Sequence, residues 1–318
     1  MIPLSTPNIK GNAWKYVKEC LDTGWVSSAG KYVDIFEEKL CDYTNSKYAV
    51  ACVNGTSALQ ISLKLAGVKP GDEVIVPTLT FIAPVNAIRY NQAIPVFMDV
   101  DNYYNLDIQK TIDFINNETF FKSGITYNKQ TKKKISCIMP IHMWGNAVWL
   151  DELIVICKEK NISVVEDASE SLGTFYIKGK YNNKYAGTIG ELGCLSFNGN
   201  KIMTTGGGGA ILTDNEKLYS KAKYLVTQAK DDPIRYIHHE IGYNFRLTNI
   251  KAALGVSQLE NLDDFLDKKK YIYKKYNLGL SEVKGLTISD VPDYSNNNLW
   301  MILLKIDKEK YGENVEDL

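Results

Sequence analysis

Histidine and arginine are scarce in this 318-residue chain, which carries only His142, His238 and His239 and only Arg89, Arg235 and Arg246. So few histidines assemble neither a zinc finger nor an H-E-x-x-H helix, and no metal site is expected. So few arginines leave little bidentate recognition for a carboxylate or a diphosphate, and lysines, hydroxyls and backbone N–H groups must bind most anions. Net charge is missing too: 37 basic side chains balance 37 acidic ones, which removes the long-range attraction that general nucleic-acid binding needs. The clusters Lys132–Lys134 and Lys268–Lys270 read as solvated faces. No apolar run approaches the ~20 residues that span a bilayer, and MIPLSTPNIK has neither the charged start nor the apolar middle of a signal peptide. The cysteines (Cys20, Cys41, Cys52, Cys137, Cys157, Cys194) are scattered through apolar segments without a C-x-x-C pair. Reduced, buried thiols have this pattern, so a cytoplasmic location is expected.

What the chain has is apolar substance, 45% of its residues, enough for a large core and about two domains. Short Val- and Ile-rich runs alternate with longer helical patterns, as in strands wrapped by crossover helices. Strands are expected at Tyr48–Val53, Glu73–Val76, Ile94–Asp99, Ile135–Ile141, Ile162–Glu166, Cys194–Phe197 and Ala210–Thr213. Their near-continuous hydrophobicity suits a sheet covered on both faces. Helices are expected at Ser57–Ala66, Pro84–Tyr90, Leu150–Lys160 and Glu216–Ala229. The predicted fold is α/β, a mostly parallel seven-stranded sheet. From Thr248 the texture changes to helices at Asn249–Phe265 and Lys268–Leu278, then strands at Leu286–Ser289 and Leu299–Ile306. A large unit over residues 1–248 and a smaller α/β unit over 249–318 are therefore expected.

In open α/β sheets, ligands sit beyond the carboxyl ends of the strands, and four such positions are chemically loaded. Asn54-Gly55-Thr56-Ser57, between a strand and a helix, reads either as a phosphate cradle or as a plain capped turn. Asp167, in the acidic end of VVEDASE, either holds a proton on a heteroaromatic nitrogen or caps a helix. Lys201, after Ser196 and before Gly206–Gly209, reads as a Schiff-base amine or as a solvated lysine. The four glycines themselves signal unusual dihedrals, close packing or a merely flexible loop. Phe81, after the strand EVIV, stacks on a planar ligand or simply packs. Taken in order, a phosphate cradle, a stacking aromatic, a ring-nitrogen carboxylate and a Schiff-base lysine are the contacts that pyridoxal 5′-phosphate requires.

The segments TGWVSSAGKYVDIFE, NGTSAL, PTLTFIA, FMDVD, IHMWG, EDASESLG, SFNGNKIMTTGGGGA and YNFRLTNIKAALG cover most of the chain. Through them the sequence resembles the DegT/DnrJ-type nucleotide-sugar aminotransferases, a branch of the aspartate-aminotransferase fold (fold type I of the pyridoxal-phosphate enzymes). The resemblance implies that Lys201 holds the cofactor and shuttles the proton, that Asp167 pairs with the pyridine nitrogen, and that Phe81 stacks on the ring. It implies phosphate contacts from Gly55, Thr56, Ser57 and Ser196, with Asn244 donated across a homodimer interface and Arg246 nearby. Glu170 stands where many members carry an amide near the cofactor's phenolic oxygen. The second unit is shorter than the family's usual one and is expected to be incomplete.

The expected activity is transfer of an amino group from glutamate to the 4-keto carbon of a nucleotide-linked 6-deoxy sugar, for surface-glycan synthesis. UDP-4-keto-6-deoxy-N-acetylglucosamine is the expected acceptor, and GDP-perosamine formation is the neighbouring alternative. Trp25, Ser27, Ser28 and His142, with Arg246, are the candidate sugar-nucleotide contacts; a hydrophobic plug for Trp25 and a satisfied turn histidine for His142 are the competing readings. A sugar 3-dehydratase of this fold would carry His where Lys201 stands. A non-catalytic cofactor-binding regulator is the other class considered.

Overall fold

Seven strands build the central sheet of the computed structural model, which describes residues 4–232 and 234–316. They are β1 (Tyr48–Cys52), β2 (Glu73–Pro77), β3 (Ile94–Met98), β4 (Ile135–Ile138), β5 (Ser163–Asp167), β6 (Leu192–Ser196) and β7 (Gly209–Thr213). Their spatial order is β1-β7-β6-β5-β4-β2-β3. Every neighbouring pair is parallel except those of β7, which runs antiparallel to both β1 and β6. All seven expected strands are present, with ends shifted by a few residues.

Alternation along each strand divides the core into two faces. Val50, Cys52, Val74, Val76 and Ile211 pack with the helices α3 (Gly55–Leu65), α4 (Ile82–Tyr90) and α7 (Glu216–Val226) on one face. Ala49, Ala51, Ala210 and Leu212 face α2 (Lys31–Thr44) and α8 (Asn249–Leu259) on the other. Further along that second face, Ile75, Ile138 and Val164 pack with α5 (Ile108–Asn117) and α6 (Asp151–Glu159). The helices start where side chains satisfy the open N–H groups of a first turn: Asn54 accepts from Ser57 in α3, Asp107 from Lys110 in α5, and Asn215 from Lys217 and Leu218 in α7.

The N-terminal helix α1 (Ala13–Asp22), α2, α5 and the hairpin of Thr119–Lys122 with Ile125–Asn128 are additions to the sequence reading. Beyond α8 comes the long helix α9 (Leu262–Leu280) and an antiparallel pair, Leu286–Ile288 with Leu304–Ile306. The strand expected over Leu299–Ile306 is therefore cut to its last three residues. Leu299 takes φ +54°, outside the extended region, and the backbone of Asn298–Trp300 is held by side chains instead of a strand partner. Just before it, Ser295–Asn296 pairs with Phe175–Tyr176, fastening this late segment to the loop after β5. Among the described residues, no helix is long and apolar enough to cross a membrane.

Candidate active site

A cleft of about 220 Å³ opens at the carboxyl ends of β1, β2, β5 and β6. The loops after those strands bring Gly55 and Thr56, Thr80 and Phe81, Asp167 and Glu170, and Ser196 and Lys201 to its walls. Because β7 runs the other way, its start lies at the same end, and Gly207 and Gly208 complete the lining. This places the glycine run. Gly207 has φ +147°, and a Cβ on Gly209 would lie 2.6 Å from the backbone nitrogen of Gly55. The run lets β7 come up against the helix start rather than serving as a loose tether.

Lys201 reaches in from the loop after β6 and is almost wholly buried. Its Nζ lies 3.4 Å from Glu170 Oε1, 4.2 Å from the centre of the Trp300 ring and 5.1 Å from that of Phe81. Glu170 is anchored on its other oxygen by the Trp144 N–H at 2.6 Å; Trp144 has φ +54° to present it. Burial pushes the Glu170 carboxyl above its ordinary value, with the charge of Lys201 and the Trp144 N–H pulling the other way. Burial likewise raises Asp167, opposed by Ser169, whose N–H donates at 3.0 Å, and by Lys201. Asp167 forms no ion pair among the described residues, so a cationic partner in the cleft would relieve its desolvation.

The expected site residues separate into two groups. Gly55, Thr56, Phe81, Asp167, Glu170, Ser196 and Lys201 share the cleft. Ser57 lies one step deeper in α3, buried, with its N–H taken by the Asn54 cap. Trp25, Ser27, Ser28, Asn244 and Arg246 stand outside this chain's own cleft. The carbonyls of Trp25 and Ser27 accept from Asn249 at the start of α8, while Ser28 and Arg246 line a separate hollow of about 300 Å³. Asn244 is exposed and accepts from Arg246 at 3.4 Å. Arg246 Nε is buried without a hydrogen-bond partner among the described residues.

His142 is a correction, because it does not reach the cleft. It is fully buried, its Nδ1 accepts from the Val148 N–H at 3.0 Å, and its Nε2 lies 2.8 Å from Glu166 Oε2. That geometry assigns the neutral tautomer with the proton on Nε2. Glu166 also accepts from Gly187, Ile189 and Gly190. Burial alone would raise Glu166, but His142 and these N–H groups hold its carboxyl below the ordinary range.

Sequence reasoning passed over Trp300 and Asn298, which come from late in the chain yet border Lys201 and Glu170. It also passed over Thr80, which lines the cleft and whose buried Oγ1 has no hydrogen-bond partner among the described residues. A hydroxyl directly after PTL, in a motif already singled out, was the available signal for Thr80.

Comparison with known proteins identifies the family. The model of the DegT/DnrJ/EryC1/StrS aminotransferase family matches residues 7–318. A GDP-perosamine synthase of Escherichia coli O157:H7 is 40% identical over 86% of this chain and 71% of its own length. A UDP-4-amino-4,6-dideoxy-N-acetyl-beta-L-altrosamine transaminase of Campylobacter jejuni is 32% identical over 88% of this chain and 70% of its own. Among solved structures, a DegT DnrJ EryC1 StrS aminotransferase from Brucella abortus superposes with a TM-score of 0.83 at 26% identity, covering 93% of this chain and 75% of that one.

Aminotransferases of this family depend on pyridoxal 5′-phosphate, and the cleft fits that group. A Cβ on Gly55 would come within 2.8 Å of Ser196 Cβ, so the glycine keeps open the space at the N-terminus of α3, where helix geometry leaves N–H groups for a phosphate. Thr80, whose hydroxyl has no partner among the described residues, the buried Asp167 carboxylate and the Lys201 amine line the same cleft and suit a polar ligand. From the sheet order, the loaded strand ends and the matched sequence together, the chain belongs to the DegT/DnrJ/EryC1/StrS family of nucleotide-sugar aminotransferases.

Proposed function

We propose that this chain transfers the amino group of glutamate to the 4-keto carbon of a nucleotide-linked 6-deoxy sugar. One observation carries the reading: Lys201 borders both the cleft and a neighbouring hollow of about 970 Å³, lined also by Lys10, Lys268, Lys269 and Trp300. The amine thus faces a space shaped for a cofactor on one side and room for a large anionic substrate on the other. With so few arginines, those lysines are the available cations for a diphosphate.

In this reading the phosphate rests on Gly55, Thr56 and Ser196, and Phe81 covers the ring. The Asp167 carboxylate holds a proton on the ring nitrogen. The bound group supplies an electron-poor ring that delocalises charge at the carbon bearing the transferred nitrogen. Lys201 Nζ takes the proton from that carbon on the donor and returns it on the sugar, a service typically worth ~10²–10⁴-fold. Glu170 keeps the amine within reach between transfers.

A homodimer with shared sites accounts for the second group of residues. Asn244, exposed and away from its own cleft, is placed to serve a partner's; Trp25 and Ser27 hold the α8 start through Asn249, and Ser28 shares a hollow with Arg246. The exposed Ile82, Ile234, Tyr236 and Ile241 provide apolar area for such a contact. Residues 249–318 then act as a smaller unit that closes the cleft of residues 1–248. Six free thiols, five of them buried, suit a reducing cytoplasm.

Of the two nucleotides, GDP draws more support, because identity to the GDP-perosamine synthase exceeds that to the UDP-sugar transaminase. The latter relative keeps UDP as the second reading. The test incubates cofactor-loaded protein with glutamate and 4-keto-6-deoxy sugars linked to GDP, UDP or dTDP, and follows 2-oxoglutarate. Release with the GDP sugar is expected; silence with all three sinks the proposal.

A further inference from the structure

The small unit touches the reacting amine through one short segment. Trp300, 2% exposed, lays its ring 4.2 Å from Lys201 Nζ. Its indole N–H donates to the carbonyl of Asn200 at 2.6 Å, the residue next to that lysine, and its own carbonyl accepts from Lys269 at 2.9 Å. Two residues earlier, Asn298 donates to the carbonyls of Glu170 and Leu172 at 2.8 and 3.0 Å, while its oxygen accepts from the Trp300 N–H at 3.0 Å. The segment thus grips both neighbours of the amine, the carboxylate side through the backbone of Glu170 and the opposite side through the indole face.

The fold spends conformational freedom to achieve this. Leu299 is held at φ +54°, a costly position for a bulky residue, and Gly145 has no room for a Cβ, which would lie 2.0 Å from Asn298 Oδ1. Burial obliges the indole N–H to find an acceptor, and it finds one on the residue beside Lys201. An indole face is also the strongest aromatic partner for an ammonium, worth ~0.5–2 kcal/mol.

We propose that the Asn298–Trp300 segment is a positioning element for Lys201, its indole face and its clamp on Glu170 together fixing the place from which the amine acts. The inference rests on the reading of Lys201 as the cofactor-bearing lysine. Trp300 acts through that lysine and is not itself a reacting group.

Cofactor-free full-length protein is mixed with pyridoxal 5′-phosphate. Nζ adds to the aldehyde carbon and water leaves; capture is followed by absorbance, by induced circular dichroism of the bound chromophore and by borohydride trapping. Trp300→Leu, which leaves the amine free to swing out of line, is expected to slow capture by about 10-fold or more and to weaken the induced signal. Trp300→Phe, which keeps a ring face, should restore most of both, and Trp14→Leu, on the exposed face of α1, should change neither. If Trp300→Leu does not fold, Asn298→Ala decides: the ring remains but the clamp is lost, and slower capture with an altered induced signal is expected. Parent-like capture and dichroism in Trp300→Leu, or in Asn298→Ala where it decides, overturns the proposal. Failure to trap the parent on Lys201 at all overturns the functional reading first and this inference with it.

Discussion

Asn298 joins the end of the chain to the cleft by donating to the Glu170 carbonyl at 2.8 Å and the Leu172 carbonyl at 3.0 Å, from a side chain only 1% exposed. Among the described residues no other donor meets those two carbonyls. Asn298→Ala therefore leaves buried acceptors unmet, at about 1–3 kcal/mol each. A total loss of about 2–6 kcal/mol is expected, read as a lower urea midpoint with an unchanged slope. A loss below about 0.5 kcal/mol would mean the segment is held by other contacts.

Lys201→Ala removes the amine and leaves its pocket of Glu170, Trp300 and Phe81. The variant should fold, since the Glu170 carboxyl left without its cation is already pushed up by burial and can take a proton, but it should show no borohydride-fixed mass increase at this site with pyridoxal 5′-phosphate. Its transamination rate should fall by at least the ~10²–10⁴-fold typical of a lost proton shuttle. Product formation at the parent rate would remove Lys201 from the mechanism.

Asp167 gives a pH signature in the cofactor-free protein. Burial raises its carboxyl above the ordinary 3.8, so on raising the pH the unfolded chain gives up this proton before the folded one does. Folding stability from this group falls as pH rises from about 3.8 to the raised folded value and is level beyond it. Asp167→Asn does not titrate. Its thermal midpoint relative to the parent should climb through that window and then plateau, while cofactor retention drops. A relative midpoint that declines with rising pH would show that the carboxylate is satisfied without a cation.

The seven sheet strands were legible because strands such as β2 and β7, buried at every position, demand unbroken apolar runs between turn residues. The cleft residues were legible for a related reason: a parallel sheet puts the residues just after its strands at one edge, so chain order alone gathers Gly55, Phe81, Asp167 and Lys201. Trp300 and Asn298 escaped because their roles depend on contacts with distant residues, made by side chains to backbone carbonyls, which leave no periodicity. Leu299–Ile306 looked like a strand since it is apolar except for Lys305, whereas the αL turn at Leu299 bends its start and only Leu304–Ile306 pairs as a strand. His142 misled by position: it follows a strand at the loaded edge, but its ring turns inward to Glu166.

That inward pair carries the sharpest stability forecast. All four groups around the Glu166 carboxylate are donors: the His142 Nε2–H and the N–H groups of Gly187, Ile189 and Gly190. A carboxylate meets four donors with two acceptor oxygens, whereas the amide of Glu166→Gln turns one of those oxygens into a fifth donor aimed at two others. Breaking a fully buried charged network in this way costs about 3–5 kcal/mol. The folded carboxyl lies below its ordinary 4.5, so the parent's advantage is complete above that value and fades as pH drops through the folded one. Urea unfolding of parent and variant at neutral and acid pH should give a wide gap that narrows in acid. Since the His142 N–H donates to the Asp167 carbonyl and the Asp167 N–H to that of Pro140, the variant should also hold the cofactor less tightly. A gap that widens in acid would mean the pair is protonated and neutral in the native protein.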